Sequence, residues 1–255
     1  MKNKIGWCDI TWNPVWGCLN NCEYCYARKI AKRFWAVMLE KEFYYYYYDK
    51  EHPNWVWTGL EGEYTGMDEF KPVFLKSQFN KKFPKNPQRI FVGSMSEIAH
   101  WEKEWIEKVI EKTKEYSQHT FQFLTKFPGV YSKYDFPNNC WLGTTVVNND
   151  ELYKMDFVYA NRIKFISIEP ILEKIDERYI EYINTGNFFN IVYQKINWVI
   201  LGAESGNRRG KIIPKKEWIE DIVECCKDNN IPVYLKDSLK EIYLVEIKEF
   251  PEECK

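Results

Sequence analysis

From about residue 89 onward, the chain alternates between short apolar runs and longer charged stretches. The apolar runs are rich in β-branched and aromatic residues and are continuous, so they predict parallel strands that are buried on both faces. The predicted strands are Arg89–Met95, Thr120–Lys126, Cys140–Val146, Ile163–Glu169, Asn197–Glu204 and Pro232–Asp237.

The charged stretches between these runs carry apolar residues at helical spacing. Residues 101–116 and 217–229 each place a tryptophan and several isoleucines or valines on one face, and residues 173–184 repeat this pattern. An earlier strand is predicted near Ile10–Val15, followed by a helix over residues 24–42. Repeated strand–helix units indicate a parallel sheet with right-handed crossovers.

The predicted fold class is therefore α/β, a full or partial TIM-type barrel of six to seven parallel strands. A chain of 255 residues suits one such domain spanning residues 1–255. Residues 43–88 break the strand–helix rhythm and predict an aromatic-rich insertion, with a short extra strand at Lys71–Leu75. Its Tyr44–Tyr48 run has two interpretations: a stacking surface for a planar substrate, or, as we favour, packing or a partner interface.

The net charge and the distribution of apolar residues indicate which partners and which compartment to expect. The net charge is −1, so composition gives no global attraction to polyanions, although a local basic patch would suffice for nucleic acid. No run of eighteen apolar residues predicts a membrane span. Residues 1–6 lack the apolar core of a signal peptide. We therefore expect a cytoplasmic protein without a membrane partner.

Three of the eight cysteines lie close together at Cys18, Cys22 and Cys25. In a reducing compartment such clustering indicates a metal site or catalysis. Structural zinc and closed iron–sulfur clusters normally take four protein ligands, so three thiols leave one coordination position open. The alternative is a structural zinc site completed by Cys8 or by a histidine.

The remaining cysteines and histidines show no ligand spacing. Cys140 and Cys226 fall on predicted buried faces and are expected to be core residues. An auxiliary cluster on Cys225, Cys226 and Cys254 is one interpretation; the favoured one places Cys226 in the core and Cys254 in a tail. His100 alone is expected near the edge of the barrel.

The C-x3-C-x2-C spacing, with the aromatic Tyr24 before the last cysteine, resembles the signature of the radical S-adenosylmethionine superfamily. The rest of the chain resembles a phage-associated family of three-cysteine-motif proteins of unassigned function, in which many members have a longer gap between the first two cysteines. The matching segments are Thr11–Pro14 with Gly17 and Cys18, Ser94–Glu97, Phe123–Lys126, Trp141–Gly143, Ser167–Pro170 and Gly202–Gly206.

This resemblance implies a four-iron, four-sulfur cluster on Cys18, Cys22 and Cys25. S-adenosylmethionine would bind the fourth iron and be cleaved to a 5′-deoxyadenosyl radical that abstracts hydrogen from substrate. It also implies an electron donor of the flavodoxin or ferredoxin type. The substrate is not identified, and the phage association makes a nucleotide or nucleic acid a reasonable hypothesis.

Functional side chains of such barrels lie at the carboxyl ends of the strands, and polar residues fall there. Some have plain structural alternatives: Ser94 and Ser96 could cap a helix, and Lys236 could pair with Glu204. The predicted cofactor contacts are Ser94, Ser96, Glu97, Thr144, Asn148 and Glu169, and the candidate catalytic residues are Lys126, Glu204 and Lys236.

Two classes of function remain open from the sequence. The first is a radical enzyme that uses the cluster and S-adenosylmethionine. The second is a non-enzymatic binding module stabilised by zinc or by a cluster. A third hypothesis keeps the cluster and the cofactor but transfers a methyl or aminocarboxypropyl group.

Overall fold

The computed structural model describes residues 5–34, 37–38, 70–157, 163–176, 180 and 196–252. Its central feature is a seven-stranded parallel sheet that curls into a half-barrel. The strands follow one another in chain order: β1 (Ile10–Trp12), β4 (Arg89–Val92), β5 (Thr120–Thr125), β6 (Cys140–Val146), β7 (Lys164–Ile168), β8 (Trp198–Leu201) and β9 (Val233–Leu235). The predicted partial barrel with seven parallel strands is confirmed.

The two long helices, Lys103–Glu115 and Lys216–Asp228, cover one face of this sheet. Helix α1 spans residues 26–34, α2 spans Lys76–Phe79, α3 spans Lys103–Glu115 and α4 spans Lys216–Asp228. The predictions for residues 101–116 and 217–229 are thus confirmed within two residues. Of the helix predicted over 173–184, residues 173–176 are not helical, Ile180 is helical and the rest lies outside the described residues.

Alternate residues of each strand point to opposite faces of the sheet. Ile90, Val92, Phe121, Phe123 and Leu142 pack with α3 in one apolar cluster. A second cluster combines β6–β9 with α4. The opposite, inner face is filled mainly by aromatic side chains: Trp7, Phe91, Trp141, Phe165, Trp198 and Tyr234.

The strand predicted at Ile10–Val15 is in fact divided. β1 ends at Trp12, and β2 (Val15–Trp16) pairs antiparallel with β3 (Val73–Phe74) in a separate two-stranded sheet. Pro14 interrupts the chain between them because it has no N–H to donate to a strand ladder. The short strand predicted at Lys71–Leu75 is confirmed, whereas the Tyr44–Tyr48 run lies outside the described residues.

No helix in the described part of the chain is long and apolar enough to cross a membrane.

Candidate functional site: the cysteine loop

The cysteine loop, residues 17–25, follows β2 and ends where α1 begins. The N–H of Gly17 donates to the Met95 carbonyl at 3.0 Å, and the Cys18 N–H donates to the Phe70 carbonyl at 2.7 Å. Gly17 has φ +106°, and a Cβ at this position would lie 2.2 Å from the Lys71 carbonyl oxygen. Only glycine adopts this φ without strain and has no Cβ to clash, so Gly17 fixes the start of the loop.

The three thiols are half-buried, and two of them accept hydrogen bonds from the backbone. The Asn20 N–H donates to Cys18 Sγ at 3.3 Å, and the Arg28 N–H donates to Cys25 Sγ at 3.4 Å. Burial raises the pKa of the Cys18 thiol to about 12, and the nearby Glu97 carboxylate and the other two thiols add to this effect. A bound cation would counter this penalty and favour the thiolate.

The thiols do not form a site for a single ion with other ligands of the described chain. Among the described residues, no three His, Cys, Asp or Glu side chains are grouped closely enough to hold one metal ion. Cys8, a fourth ligand under the zinc hypothesis, is buried beside Trp7 and Phe91 in the inner aromatic cluster. A zinc ion needs all of its ligand atoms within about 2.0–2.3 Å of one point. An iron–sulfur cluster does not, because each thiolate binds a different iron.

Side chains of the loop and of Tyr26, the first residue of α1, tie the loop to three different strand ends. Tyr24 Oη accepts a hydrogen bond from Lys126 Nζ at 2.9 Å, at the end of β5. Tyr26 Oη donates to the Ser94 carbonyl at 2.9 Å, after β4. Glu23 Oε2 lies 3.3 Å from Arg208 Nη1, after β8. The residues beside Cys22 and Cys25 therefore hold the thiols at the carboxyl edge of the sheet.

The first half of the loop is closed by Arg28 from helix α1. Its Nη2 donates to the carbonyl oxygens of Cys18 at 3.4 Å and Asn20 at 3.0 Å, while its guanidinium lies 5.0 Å from the Phe70 ring centroid. Sequence reasoning missed this residue, because its role depends on backbone carbonyls that only the folded loop brings within reach.

His100 lies against the loop, as its predicted place near the barrel edge suggested. Its Nδ1 accepts from the Leu19 N–H at 3.2 Å and lies 3.9 Å from Cys18 Sγ. This contact is the observation that most favours the zinc hypothesis.

The turn after β4 carries three of the predicted cofactor contacts. The Ser94 hydroxyl donates to Asn13 Oδ1 at 3.1 Å, which also accepts from the Met95 N–H at 3.1 Å. Ser96 Oγ is buried and has no hydrogen-bond partner among the described residues. Neither serine caps the following 3₁₀ helix, Ile98–His100, because Glu97 accepts from the Ala99 N–H.

Glu97 is buried, and its carboxylate is occupied by the protein itself. It accepts from the Thr125 hydroxyl, the Lys126 N–H at 2.9 Å and the Ala99 N–H at 3.3 Å. Glu97 therefore joins the ends of β4 and β5. A cofactor contact at Glu97 remains a prediction. Its carboxylate has roughly four acceptor positions, and three of them already accept these hydrogen bonds.

Two further predicted cofactor contacts, Thr144 and Asn148, have different surroundings. Thr144 is fully buried and donates to the Thr125 carbonyl at 3.1 Å. It shares the helix-covered face of β6 with Leu142 and Val146, so its neighbour Thr145 lies on the inner face. Asn148 Oδ1 is buried without a hydrogen-bond partner among the described residues.

The candidate catalytic residues, Lys126, Glu204 and Lys236, all lie at strand ends. The observed ion pairs correct the alternative that Lys236 pairs with Glu204. Lys236 pairs with Glu169, not with Glu204. Glu204 is buried and binds Arg208 through both oxygens, at 2.8 and 2.9 Å. This hydrogen-bonded guanidinium holds the pKa of the Glu204 carboxyl below its usual range.

Sequence reasoning did not single out two polar residues on the inner face. The Gln122 amide and the Ser167 hydroxyl are fully buried and have no hydrogen-bond partner among the described residues. They alternate with the apolar residues that face the helices, so they point into the half-barrel. Buried polar groups normally have partners, which makes this inner face a candidate for ligand contact.

Two cysteines outside the loop are core residues, as predicted. Cys140 and Cys226 are buried core residues, and burial raises the pKa of the Cys140 thiol to about 12. Cys225 is half-buried on α4, and Cys254 lies outside the described residues.

The family model described as "Protein of unknown function (DUF5131)" matches residues 2–242. No curated protein matches the chain at a significant level.

Solved structures with a similar fold include two mutants of spore photoproduct lyase. A cysteine-to-serine mutant has a TM-score of 0.53 at 13% identity, over 90% of this chain and 76% of the lyase chain. A cysteine-to-alanine mutant has a TM-score of 0.51 at 14% identity, over 87% and 74%. At these identities the similarity establishes a shared fold.

Proposed function

From the premise that this chain belongs to the family of unknown function DUF5131, we propose that it is a radical S-adenosylmethionine enzyme. Cys18, Cys22 and Cys25 would hold a four-iron, four-sulfur cluster. The observation that carries this proposal is a loop with three half-buried thiols, tied to the carboxyl edge of a seven-stranded half-barrel. This edge is where βα barrels place their chemistry.

The residues present fit such a cluster. Three thiols form a soft donor set and leave one iron for an exogenous ligand. Backbone N–H groups of Asn20 and Arg28 donate to two of the sulfurs, an interaction that stabilises thiolates and tunes cluster potential. The loop side chains that bind Ser94, Lys126 and Arg208 hold the thiols in place.

The same edge offers polar groups for S-adenosylmethionine. Ser96 Oγ and Asn148 Oδ1, both at predicted cofactor positions, are buried oxygens without partners among the described residues. The inner face adds Gln122 and Ser167. We propose that these groups, with Glu169 beside them at the edge, bind and orient the cofactor, while the aromatic layer beneath excludes water.

When bound, the cluster supplies an electron that cleaves S-adenosylmethionine and so provides a 5′-deoxyadenosyl radical for hydrogen abstraction. Lys126 at the end of β5 contacts the loop directly through Tyr24, whereas Glu204 is linked to the loop through Arg208. Burial raises the pKa of the Tyr24 hydroxyl, so this group stays protonated and accepts from Lys126 Nζ at neutral pH. Glu204 and Lys236 are held in ion pairs and would act by positioning.

An electron donor of the flavodoxin or ferredoxin type is proposed as the physiological partner, in the reducing cytoplasm. The substrate class proposed is a nucleotide or nucleic acid. The phage association stays a prediction from the resemblance.

Anaerobic reconstitution tests the proposal directly. We expect a brown protein with about four irons and four sulfides per chain that releases 5′-deoxyadenosine from S-adenosylmethionine after reduction. Cys22→Ala should lose both the iron and the product. Cys225→Ala, a half-buried cysteine on α4 outside the loop, is the matched control and should retain both.

The zinc-stabilised binding module is the second candidate, favoured by the contact of His100 with Cys18. A colourless protein with one tightly held zinc, lost in both Cys22→Ala and His100→Ala, would establish it and refute the cluster. If the cluster forms but methylthioadenosine or S-adenosylhomocysteine appears in place of 5′-deoxyadenosine, the reaction is a group transfer.

A further inference from the structure

We infer that the groove between the two 3₁₀ helices that follow β5 and β6 binds single-stranded nucleic acid. These helices are Pro128–Lys133 and Asn149–Phe157, and the groove between them has a volume of about 380 Å³. This inference deepens the proposed function, because it assigns a substrate class to the same edge of the half-barrel and rests on that proposal for the chemistry.

Two exposed aromatic rings line the groove. Both side chains are large and have apolar rings, yet Phe127 is 46% exposed and Tyr153 is 56% exposed. Aromatic rings exposed within a concave surface provide the stacking platforms on which single-stranded nucleic acids place their bases. The rings can reach the face of a base only when that base is not stacked in a duplex, which favours a single strand.

The charged side chains that line the groove are all lysines. Lys154 is compensated by Glu151, whose Oε1 lies 2.7 Å from its Nζ, so it adds little net charge. Lys133 is exposed at the end of its 3₁₀ helix, and the half-buried Lys126 also lines the groove. No carboxylate belongs to the groove lining in the described part of the chain. The groove is therefore a local basic patch on a chain of net charge −1.

The groove adjoins the cysteine loop at two points. Lys126 in its lining donates to Tyr24 Oη, between Cys22 and Cys25. His100, which follows the lining residue Ala99, lies 3.9 Å from Cys18 Sγ, and its ring centroid is 5.6 Å from that of Phe127. A base stacked on Phe127 would thus lie beside the loop that is proposed to hold the cluster, while the flanking phosphate would meet Lys133.

The size of the groove agrees with one nucleotide at a time. Small-molecule sites occupy about 300–1,000 Å³, so this groove admits a base with its sugar and not a duplex. The rest of the strand would follow the exposed surface near Lys133.

Fluorescence anisotropy with labelled ten-residue oligothymidylate and oligouridylate tests the inference on the full-length chain. Phe127→Ala and Tyr153→Ala should each weaken binding by about fivefold or more, because each removes a stacking surface. Lys133→Ala should reduce the slope of log Kd against log salt by about 0.7, the value for one phosphate contact to a single strand. Comparison of the two oligonucleotides separates DNA from RNA as the source of the strand.

The matched controls are Leu244→Ala, which removes an apolar side chain that is 87% exposed, and Lys103→Ala on α3. Both should bind like the unsubstituted protein. Unchanged affinity in all three groove variants would overturn the inference. Equal displacement of the strand by polyglutamate would also overturn it, because attraction to charge alone would then account for binding.

Iron content and 5′-deoxyadenosine release are measured on the same preparations. A protein that carries the cluster but binds neither oligonucleotide refutes the groove and leaves the radical enzyme intact. A protein that binds through Phe127 and Lys133 but holds no iron refutes the enzyme and leaves the groove intact.

Discussion

Arg208 Nη1 lies 3.3 Å from Glu23 Oε2, a contact that joins the cysteine loop to the end of β8 across 185 residues of sequence. The same guanidinium binds both oxygens of the buried Glu204. A loop that follows β2 is thereby linked to the far half of the sheet.

Removal of this guanidinium should destabilise the fold in a pH-dependent manner. Arg208→Ala leaves Glu204 buried without its partner, at a cost of about 1–3 kcal/mol near pH 7. The pKa of Glu204 is lowered in the folded state, so its contribution is present above the unfolded carboxyl pKa of about 4.3 and is lost as the pH falls through the folded value. Urea unfolding should therefore show a difference at pH 7 that shrinks below about pH 4.

Arg209→Ala is the control, since Arg209 is the exposed neighbour in the same turn. A loss of stability in Arg208→Ala that does not change between pH 7 and pH 3.5 would contradict the role assigned to Glu204.

The sequence predicted the sheet well because its strands are continuous apolar runs, a local property. Cys140–Val146 coincides with β6, and all seven parallel strands were anticipated. The cysteine loop was identified from spacing alone. Its anchors were not, because the contacts of Arg208 with Glu23 and of Tyr26 with Ser94 join segments far apart in the chain.

The sequence also did not predict to which face of the sheet the side chains at its edge point. Thr144 and Thr145 are adjacent and chemically alike, and only the register of β6 shows which of them faces inward. Likewise, Lys236 had two acidic candidates, and it pairs with Glu169, which follows β7 two strands away, whereas Glu204 after the adjacent strand β8 binds Arg208.

Gly17 should be irreplaceable. A Cβ at this position would lie 2.2 Å from the Lys71 carbonyl oxygen and 2.8 Å from that of Phe70, and its φ of +106° disfavours any other residue. Gly17→Ala should therefore displace Cys18 and lower the iron bound after reconstitution, and it should lower the melting temperature. Gly129→Ala is the matched control, since nothing lies within 4 Å of its added Cβ. Full iron content in Gly17→Ala would refute the dependence of the loop on this turn.

Glu97 should act as a structural link between β4 and β5, whatever else it binds. In Glu97→Gln, the new amide N–H₂ must face either the Ala99 N–H or the Lys126 N–H, so at least one backbone bond is lost. We expect destabilisation of about 1–3 kcal/mol and faster hydrogen exchange at one of these two amides. Glu102→Gln, exposed before α3 and without a side-chain cap bond, is the control. Unaltered exchange at both amides would count against this role.

Gly202 permits the ion pair between Glu169 and Lys236 to cross the end of β8. A Cβ on Gly202 would lie 3.0 Å from Cγ and Cδ of Glu169 and 3.1 Å from Cδ of Lys236. These side chains can yield only by moving away, so Gly202→Ala should separate the two charges. In a double-mutant cycle, Glu169→Gln and Lys236→Met should show a coupling free energy of about 1 kcal/mol in the unsubstituted protein.

The same cycle in the Gly202→Ala background should give a smaller coupling free energy, because the added methyl group pushes both side chains outward. In the Gly129→Ala background the coupling should be retained, since that glycine has open space around it. Equal coupling in the Gly202→Ala and Gly129→Ala backgrounds would show that the pair tolerates the added methyl group. The absence of a side chain at Gly202 would then serve another purpose at this edge, such as the close approach of a ligand to the backbone.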